Sequence, residues 1–131
     1  MPNLAAWSPR VLSILRIISG LLFIEHGLMK QFHFPVAQPG APDPLPTILV
    51  AAAWIEIVGG ALIALGLFTR ITAFICSGEM AIGYFMAHAS KSFWPGVNMG
   101  GEAILYTFVF LYLAFAGGGI WSLDALVRKR P

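Results

Sequence analysis

Several titratable side chains lie near the ends of long apolar segments, where they could form one site. His26 and Lys30 are four residues apart and therefore share one face of any helix that contains them. Histidine exchanges a proton near neutral pH, and a quinone head group needs hydrogen-bond donors and protons beside an aromatic wall. We therefore predict a site for a quinone or a similar ligand, formed by His26, Lys30, Tyr84, His88, Trp94 and Glu102.

The same residues have other interpretations. They also suit a purely structural network of ion pairs that holds the loops together. A metal bound by His26, His88 and Glu102 is a further alternative, although no pair of these residues has the spacing of a known metal motif. A b-type haem between the two histidines is disfavoured, because both lie close to segment ends. We predict no metal site and no catalytic residue.

Apolar helices must position these side chains. The chain has 131 residues, of which 58% are hydrophobic and 11% charged, and its mean hydropathy is +0.80. One small globular core cannot bury that much apolar surface. With about 20 residues per membrane span, the sequence predicts a single all-α domain over residues 1–131. This domain is an integral membrane four-helix bundle with helices at 11–29, 47–68, 71–89 and 102–121.

Basic residues set the predicted orientation, since they concentrate on the cytoplasmic side of membrane proteins. Five fall on one side of the four spans and two on the other, so both termini are predicted to be cytoplasmic. The proline-rich segment 31–46 then forms the longest outer loop. We expect the first helix to remain in the mature protein, because no small-residue cleavage site follows it. The five basic residues on the predicted cytoplasmic side are Arg10, Arg70, Arg128, Lys129 and Arg130, and the two on the outer side are Lys30 and Lys91.

Three further charges lie inside the apolar segments. At a rise of about 1.5 Å per residue, Arg16 lies about 8 Å, Glu79 about 12 Å and Glu56 about 18 Å from the predicted cytoplasmic end. A charge near the bilayer centre costs ~2.5 to 3.5 kcal/mol on insertion scales, so such charges pair inside the protein. We predict a buried polar clamp in which Arg16 contacts Glu79, with Glu56 close by. Two acids for one arginine leave room for a protonated carboxyl group, and a proton relay is the functional alternative.

Other features exclude or limit several functions. The net charge of +2 and the pI near 9.0 do not indicate nucleic-acid binding, because the basic residues are scattered at segment ends. Cys76 is the only cysteine, so it forms no internal disulfide and is predicted to be a small core residue. The glycines at 117–119 are not a phosphate loop, since no strand precedes them. Asp124 is predicted to cap a short final helix.

Five segments in this order resemble the DoxX family of small four-helix membrane proteins. They are RIISGLLFIEHGLMK at 16–30, EIVGGALIALGLFTR at 56–70, AIGYFMAH at 81–88, FWPGVNMGGE at 93–102 and GGGIWSLD at 117–124. The resemblance covers nearly the whole chain and implies a bacterial inner-membrane location. The resemblance assigns no catalytic roles. The residues that match the sequence pattern of the family are Arg16, His26, Gly27, Lys30, Glu56, Arg70, His88, Glu102 and Asp124.

The resemblance also implies partners, because relatives include a subunit associated with quinone-linked thiosulfate oxidation and members of membrane oxidoreductase assemblies. The leading hypothesis is therefore a membrane subunit or anchor of a quinone-linked redox system, with quinone as the candidate cofactor and soluble redox proteins as partners. A small-molecule or proton-coupled transporter working as a homo-oligomer is the second hypothesis. A purely structural membrane anchor is the third. Lipid is the partner common to all three, and nucleic acid is a partner in none.

Overall fold

Helices account for all regular structure in the part of the chain that the computed structural model describes, residues 3–128. A 3-10 turn at Leu4–Trp7 leads into the first helix. The helices are α1 (Ser8–Phe32), α2 (Thr47–Leu65), α3 (Thr69–Ala87), α4 (Pro95–Asn98), α5 (Gly101–Ala116) and α6 (Leu123–Arg128). The all-α prediction is confirmed for these residues.

The four long helices match the predicted segments, but their ends differ. α1 begins three residues earlier and ends three residues later than predicted. α2 ends at Leu65 because Gly66 adopts a left-handed conformation, with a φ of 71°, that glycine reaches without steric cost. α5 ends at Ala116, and residues 117–122 form an irregular segment instead of a last helical turn. Lys129 and Arg130, which the orientation prediction used, lie outside the described residues.

Two stretches are long and apolar enough to cross a bilayer, namely Leu4–Phe32 and α2. α5 is apolar but has only 16 residues, and α3 has 19 residues that include Arg70 and Glu79. The side chains of α1 are arranged as lipid requires: its buried side includes Ser13, Arg16 and Ser19, whereas leucines and isoleucines are exposed. Water would favour the opposite arrangement.

The helices pack in two pairs, α1 with α2 and α3 with α5, and α2 meets α3 over a smaller area. Phe23 of α1 joins the pairs, since its ring lies 5.4 Å from that of Tyr106 and 4.8 Å from that of Phe110 on α5. Cys76 is buried in the same apolar core, which confirms the prediction made for it. The core therefore lies between the two pairs, directly below the predicted ligand site.

Two glycines bring α1 and α2 into contact. A Cβ atom at Gly60 would lie 2.8 Å from the Gly20 carbonyl oxygen and 2.9 Å from the Ile24 backbone nitrogen. A Cβ atom at Gly20 would lie 2.6 Å from the Ala64 backbone nitrogen. Backbone atoms cannot move aside without moving the helix, so both positions require glycine. Small residues of this kind let membrane helices approach closely.

Asp124 fixes the turn between α2 and α3, which corrects its predicted role. Its carboxylate oxygens accept hydrogen bonds from the backbone N–H groups of Phe68 and Thr69, both at 2.9 Å, and thus cap α3. Burial alone would raise the pKa of Asp124, but these two hydrogen bonds, together with the Thr69 side chain and the charge of Arg128, outweigh it and hold the pKa below its ordinary value. α6 is capped instead by Ser122, whose hydroxyl oxygen accepts from the Ala125 N–H at 3.1 Å. The start of α3 offers two backbone N–H donors, and the Asp124 carboxylate binds these donors instead of capping its own short helix, α6.

We expect Gly60→Ala to lower the thermal stability of the purified protein in detergent, because the new methyl group overlaps the α1 backbone. Overpacking of this kind costs about 1 to 3 kcal/mol. Gly83→Ala on α3 is the matched control, since no atom lies within 4 Å of a Cβ atom there. Thermal unfolding of both variants is the measurement. Equal melting temperatures for Gly60→Ala and the wild type would contradict the close contact.

Candidate functional site

Glu56 is fully buried on α2 and pairs with Lys30 near the outer end of α1. The Lys30 Nζ atom donates to Glu56 Oε1 at 2.7 Å and also contacts Oε2. Lys30 therefore belongs to the buried polar group as well as to the outer one. The sequence had assigned these two residues to separate clusters, and the structure joins them.

Arg16 does not contact Glu79 or Glu56, so that part of the predicted clamp is wrong. Its guanidinium group is 1% exposed and donates to three backbone carbonyl groups. Nη2 bonds the Trp121 oxygen at 2.7 Å and the Ala64 oxygen at 3.4 Å, and Nη1 bonds the Gly118 oxygen. Ser13, one turn earlier, accepts from the Trp121 N–H at 3.0 Å. Arg16 thus fixes the irregular segment 117–122 onto α1.

The direction of side chains on a helix explains this difference in pairing. Side chains lean toward the N-terminus of their helix. Arg16 therefore leans toward the start of α1 and the segment 117–122, whereas Lys30 leans from the outer end toward the middle of the protein. α2 runs antiparallel to α1, as the contacts of Gly20 with Ala64 and of Gly27 with Ala53 show. Glu56 consequently leans toward Lys30 and away from Arg16.

Glu79 of α3 lies beside this pair. Its carboxyl group faces that of Glu56 and also lies within electrostatic reach of Lys30. Its Oε2 atom is buried and has no hydrogen-bond partner within residues 3–128. The buried group is therefore one lysine with two carboxyl groups, drawn from α1, α2 and α3. It replaces the predicted group of one arginine with two carboxyl groups.

The structure brings His26 and Glu102 together, two residues of the predicted ligand site. The His26 Nε2 atom lies 2.6 Å from Glu102 Oε1, which links α1 to the start of α5. The side chains are 27% and 62% exposed, so a ligand can reach both. The His26 ring also meets Tyr106 edge to face, with centroids 5.6 Å apart. This pair places a titratable imidazole and a carboxylate at the protein surface, against the buried ring of Tyr106.

Tyr106 is a site residue that sequence analysis missed. It lies one helical turn after Glu102, is 7% exposed, and its buried hydroxyl has no hydrogen-bond partner within the described range. The carboxyl groups of Glu102 and Glu56 are both within electrostatic reach of this hydroxyl. The i, i+4 spacing from Glu102 could have indicated the residue, because it puts both side chains on one face of α5.

Tyr84 and His88 form a second group, which Asn98 organises. The Asn98 side-chain amide donates to the Tyr84 hydroxyl at 3.0 Å and to the Ser92 carbonyl at 2.9 Å. His88 Nδ1 lies 2.8 Å from the Asn98 backbone oxygen, and because a carbonyl can only accept, Nδ1 carries the hydrogen. Asn98 is fully buried and holds the loop between α3 and α5. For Tyr84 and His88, these contacts agree with the alternative interpretation of the predicted site, a structural network that holds the loops together.

The remaining predicted aromatic residue, Trp94, is exposed and packs edge to face against Phe93, with centroids 5.2 Å apart. Two surface grooves of about 370 and 360 Å³ lie toward the other end of the helices, beside Arg70 and Arg16, and neither is lined by a residue of the predicted ligand site. Within residues 3–128, no three His, Cys, Asp or Glu side chains are arranged to hold a metal ion.

Comparison with known proteins identifies relatives over nearly the full length of the chain. The DoxX family model matches residues 11–89. A Haemophilus influenzae protein named "Uncharacterized protein" is 44% identical over 99% of this chain and 100% of its own length. "Inner membrane protein YqjF" of Escherichia coli is 32% identical over 89% of this chain and 92% of its own. "Putative oxidoreductase CatD" of Bacillus subtilis is 30% identical over 88% and 86%. No solved structure matches the chain.

We expect Lys30→Met to destabilise the protein, because it leaves the buried Glu56 carboxylate without its partner. Breaking a buried pair in this way typically costs about 3 to 5 kcal/mol. The double variant Lys30→Met with Glu56→Met should recover most of the loss, since no buried charge is then left uncompensated. Thermal unfolding in detergent measures both variants, with the exposed Lys91→Met as the control. A Lys30→Met protein as stable as Lys91→Met would contradict the buried pair.

Proposed function

Because the chain belongs to the DoxX family and is a multi-pass protein of the bacterial inner membrane, we propose that it is a membrane subunit or anchor of a quinone-linked redox system. The outer site at His26 and Glu102 binds the quinone head group in this proposal. Tyr84, His88 and Asn98 hold the adjoining loop. Soluble redox proteins are the expected partners, and the protein itself need not carry out a complete reaction.

The His26–Glu102 pair is the observation that carries this proposal. A quinone carbonyl accepts a hydrogen bond and takes up a proton on reduction, and a partly exposed imidazole next to a carboxylate can supply both. The His26 ring packs edge to face with the buried Tyr106 ring, which holds the imidazole in place beside Glu102. In this proposal, an isoprenoid tail attached to the head group remains in lipid.

The name of the Bacillus subtilis relative, "Putative oxidoreductase CatD", supports the proposal that this chain works in a redox system. A different observation favours a transporter: Lys30, Glu56 and Glu79 place charges between the helices, where substrate paths of transporters lie. Four helices are too few to enclose a path, so this alternative requires a homo-oligomer. A purely structural anchor is the third candidate and predicts no ligand at His26.

We further propose that α1, α2, α3 and α5 all cross the membrane as a four-helix bundle, with both termini in the cytoplasm. The distribution of the described basic residues supports this topology, because Arg10, Arg70 and Arg128 lie at one end of the helices, whereas Lys30 and Lys91 lie at the other. α5 is short for a span, but the segment 117–122 that follows it extends the buried path.

We expect a single cysteine introduced at Ala41, in a Cys76→Ser background, to react with a membrane-impermeant thiol reagent in intact cells. A cysteine added at the C-terminus should react only after lysis, because the tail is cytoplasmic in the proposed topology. The measurement is labelling before and after lysis in the same expression strain. Labelling of the tail in intact cells would reverse the orientation.

We expect His26→Asn to weaken the binding of a soluble quinone analogue by about tenfold or more, since one charge-assisted hydrogen bond is worth ~1.5 to 3 kcal/mol. His33→Asn is the matched control: His33 is exposed in the loop after α1, and asparagine tolerates its left-handed conformation, with a φ of 56°. Calorimetric titration of wild type and both variants is the measurement. If the wild type does not bind the analogue, or all three proteins bind it equally, the structural anchor is the better account.

A further inference from the structure

The buried group at the centre of the protein has an unbalanced charge if all its members ionise. Lys30 supplies one positive charge, whereas Glu56 and Glu79 supply two negative charges. Glu56 is fully buried and its two oxygens are both used by Lys30. The Glu79 Oε2 atom is also buried, and it makes no hydrogen bond to any described residue. An ionised Glu79 would therefore be an uncompensated charge in an apolar setting.

One proton removes this imbalance. Two carboxyl groups in contact cannot both be ionised without strong repulsion, and a proton held between them neutralises one charge and forms a hydrogen bond. The group then consists of Lys30 with a positive charge and an acid pair with one negative charge. In this state every buried charge has a partner, as charges within membrane-spanning segments require.

Tyr106 lies beside the surface pair and within electrostatic reach of the acid pair, since its ring centroid is 5.6 Å from that of His26 and its hydroxyl is influenced by both Glu102 and Glu56. The hydroxyl is buried and unpartnered within residues 3–128, although hydroxyl groups in such positions ordinarily form hydrogen bonds. Glu102 is in turn paired with His26. A hydroxyl can accept a proton on one side and release one on the other, with no net change. Tyr106 is therefore suited to pass protons between the two groups.

We propose that Glu56 and Glu79 form a proton-binding site that exchanges one proton with the outer surface through Tyr106 and the His26–Glu102 pair. The carboxylic acid O–H bond breaks and its proton binds the Tyr106 oxygen, while the tyrosine O–H bond breaks and its proton binds the imidazole or the Glu102 carboxylate. No electron transfer is involved. The site does not require that a quinone bind at His26, so it stands apart from the proposed function.

Titratable groups line this path from each helix that packs around it, and they include the members of the path. They are Glu25, His26 and Lys30 on α1, Glu56 on α2, Cys76 and Glu79 on α3, and Glu102 and Tyr106 on α5. Lys30 is the one lysine or arginine in this set. It keeps one carboxyl group ionised and thereby leaves the acid pair with a single exchangeable proton.

Infrared spectroscopy of the full-length protein in lipid nanodiscs, without quinone, tests the proposal. At neutral pH the wild type should show the carbonyl band of a protonated carboxylic acid. Glu79→Gln and Glu56→Gln should each lose this band, because the remaining acid then pairs with Lys30 alone. Glu25→Gln should keep it, since Glu25 is exposed. Absence of the band in the wild type, or its persistence in Glu79→Gln, would overturn the proton-binding site.

The route through Tyr106 has its own measurement, which uses folded protein with both acids intact. After transfer to heavy water, the acid band shifts as deuterium replaces the proton. We expect Tyr106→Phe to slow this shift by about tenfold or more, as for loss of a proton-transfer group. Tyr112→Phe, at an exposed position of the same helix, should exchange as the wild type does. Exchange in Tyr106→Phe at the wild-type rate would overturn the route.

Discussion

Lipid offers no hydrogen-bond partners, so polar groups within the apolar segments must be satisfied by the protein itself. This constraint accounts for most of the polar contacts between helices. Arg16 binds carbonyl groups from α2 and from the segment 117–122, and Lys30 binds Glu56. The Ser77 hydroxyl donates to the Thr107 carbonyl and joins α3 to α5 at 2.7 Å. Each bond links elements that are distant in sequence, so satisfying these groups also defines the fold.

The candidate site lies where this internal satisfaction is incomplete. At the opposite end of the helices, Ser13 and Arg16 donate to nearby carbonyl groups, although the Arg16 Nε and Thr69 Oγ1 atoms are buried there without partners in the described range. At the candidate site, the Glu79 Oε2 atom and the Tyr106 hydroxyl are buried without partners in the same range. Groups left in this condition retain the capacity to bind a proton or a ligand.

Sequence reasoning recovered the long helices because apolar runs of nearly 20 residues have few alternative structures. It also brought His26 and Glu102 together, since both lie where a helix meets the outer loops. It paired Arg16 with the wrong residues because depth along a helix does not specify the direction in which a side chain leans. Asn98 was missed for another reason: a single asparagine in a glycine-rich loop has no periodic pattern, and its role depends on contacts with Tyr84 and Ser92.

The contact of Arg16 with the segment 117–122 has a consequence for biosynthesis. Arg16 is made early, but two of its three carbonyl acceptors, those of Gly118 and Trp121, emerge from the ribosome about a hundred residues later. Until then the guanidinium group must remain hydrated at the membrane surface, so α1 cannot settle at its final depth. The end of the protein that holds Arg16 therefore closes last. A chain that stops before Gly118 would leave the first helix with an arginine that the membrane does not accept.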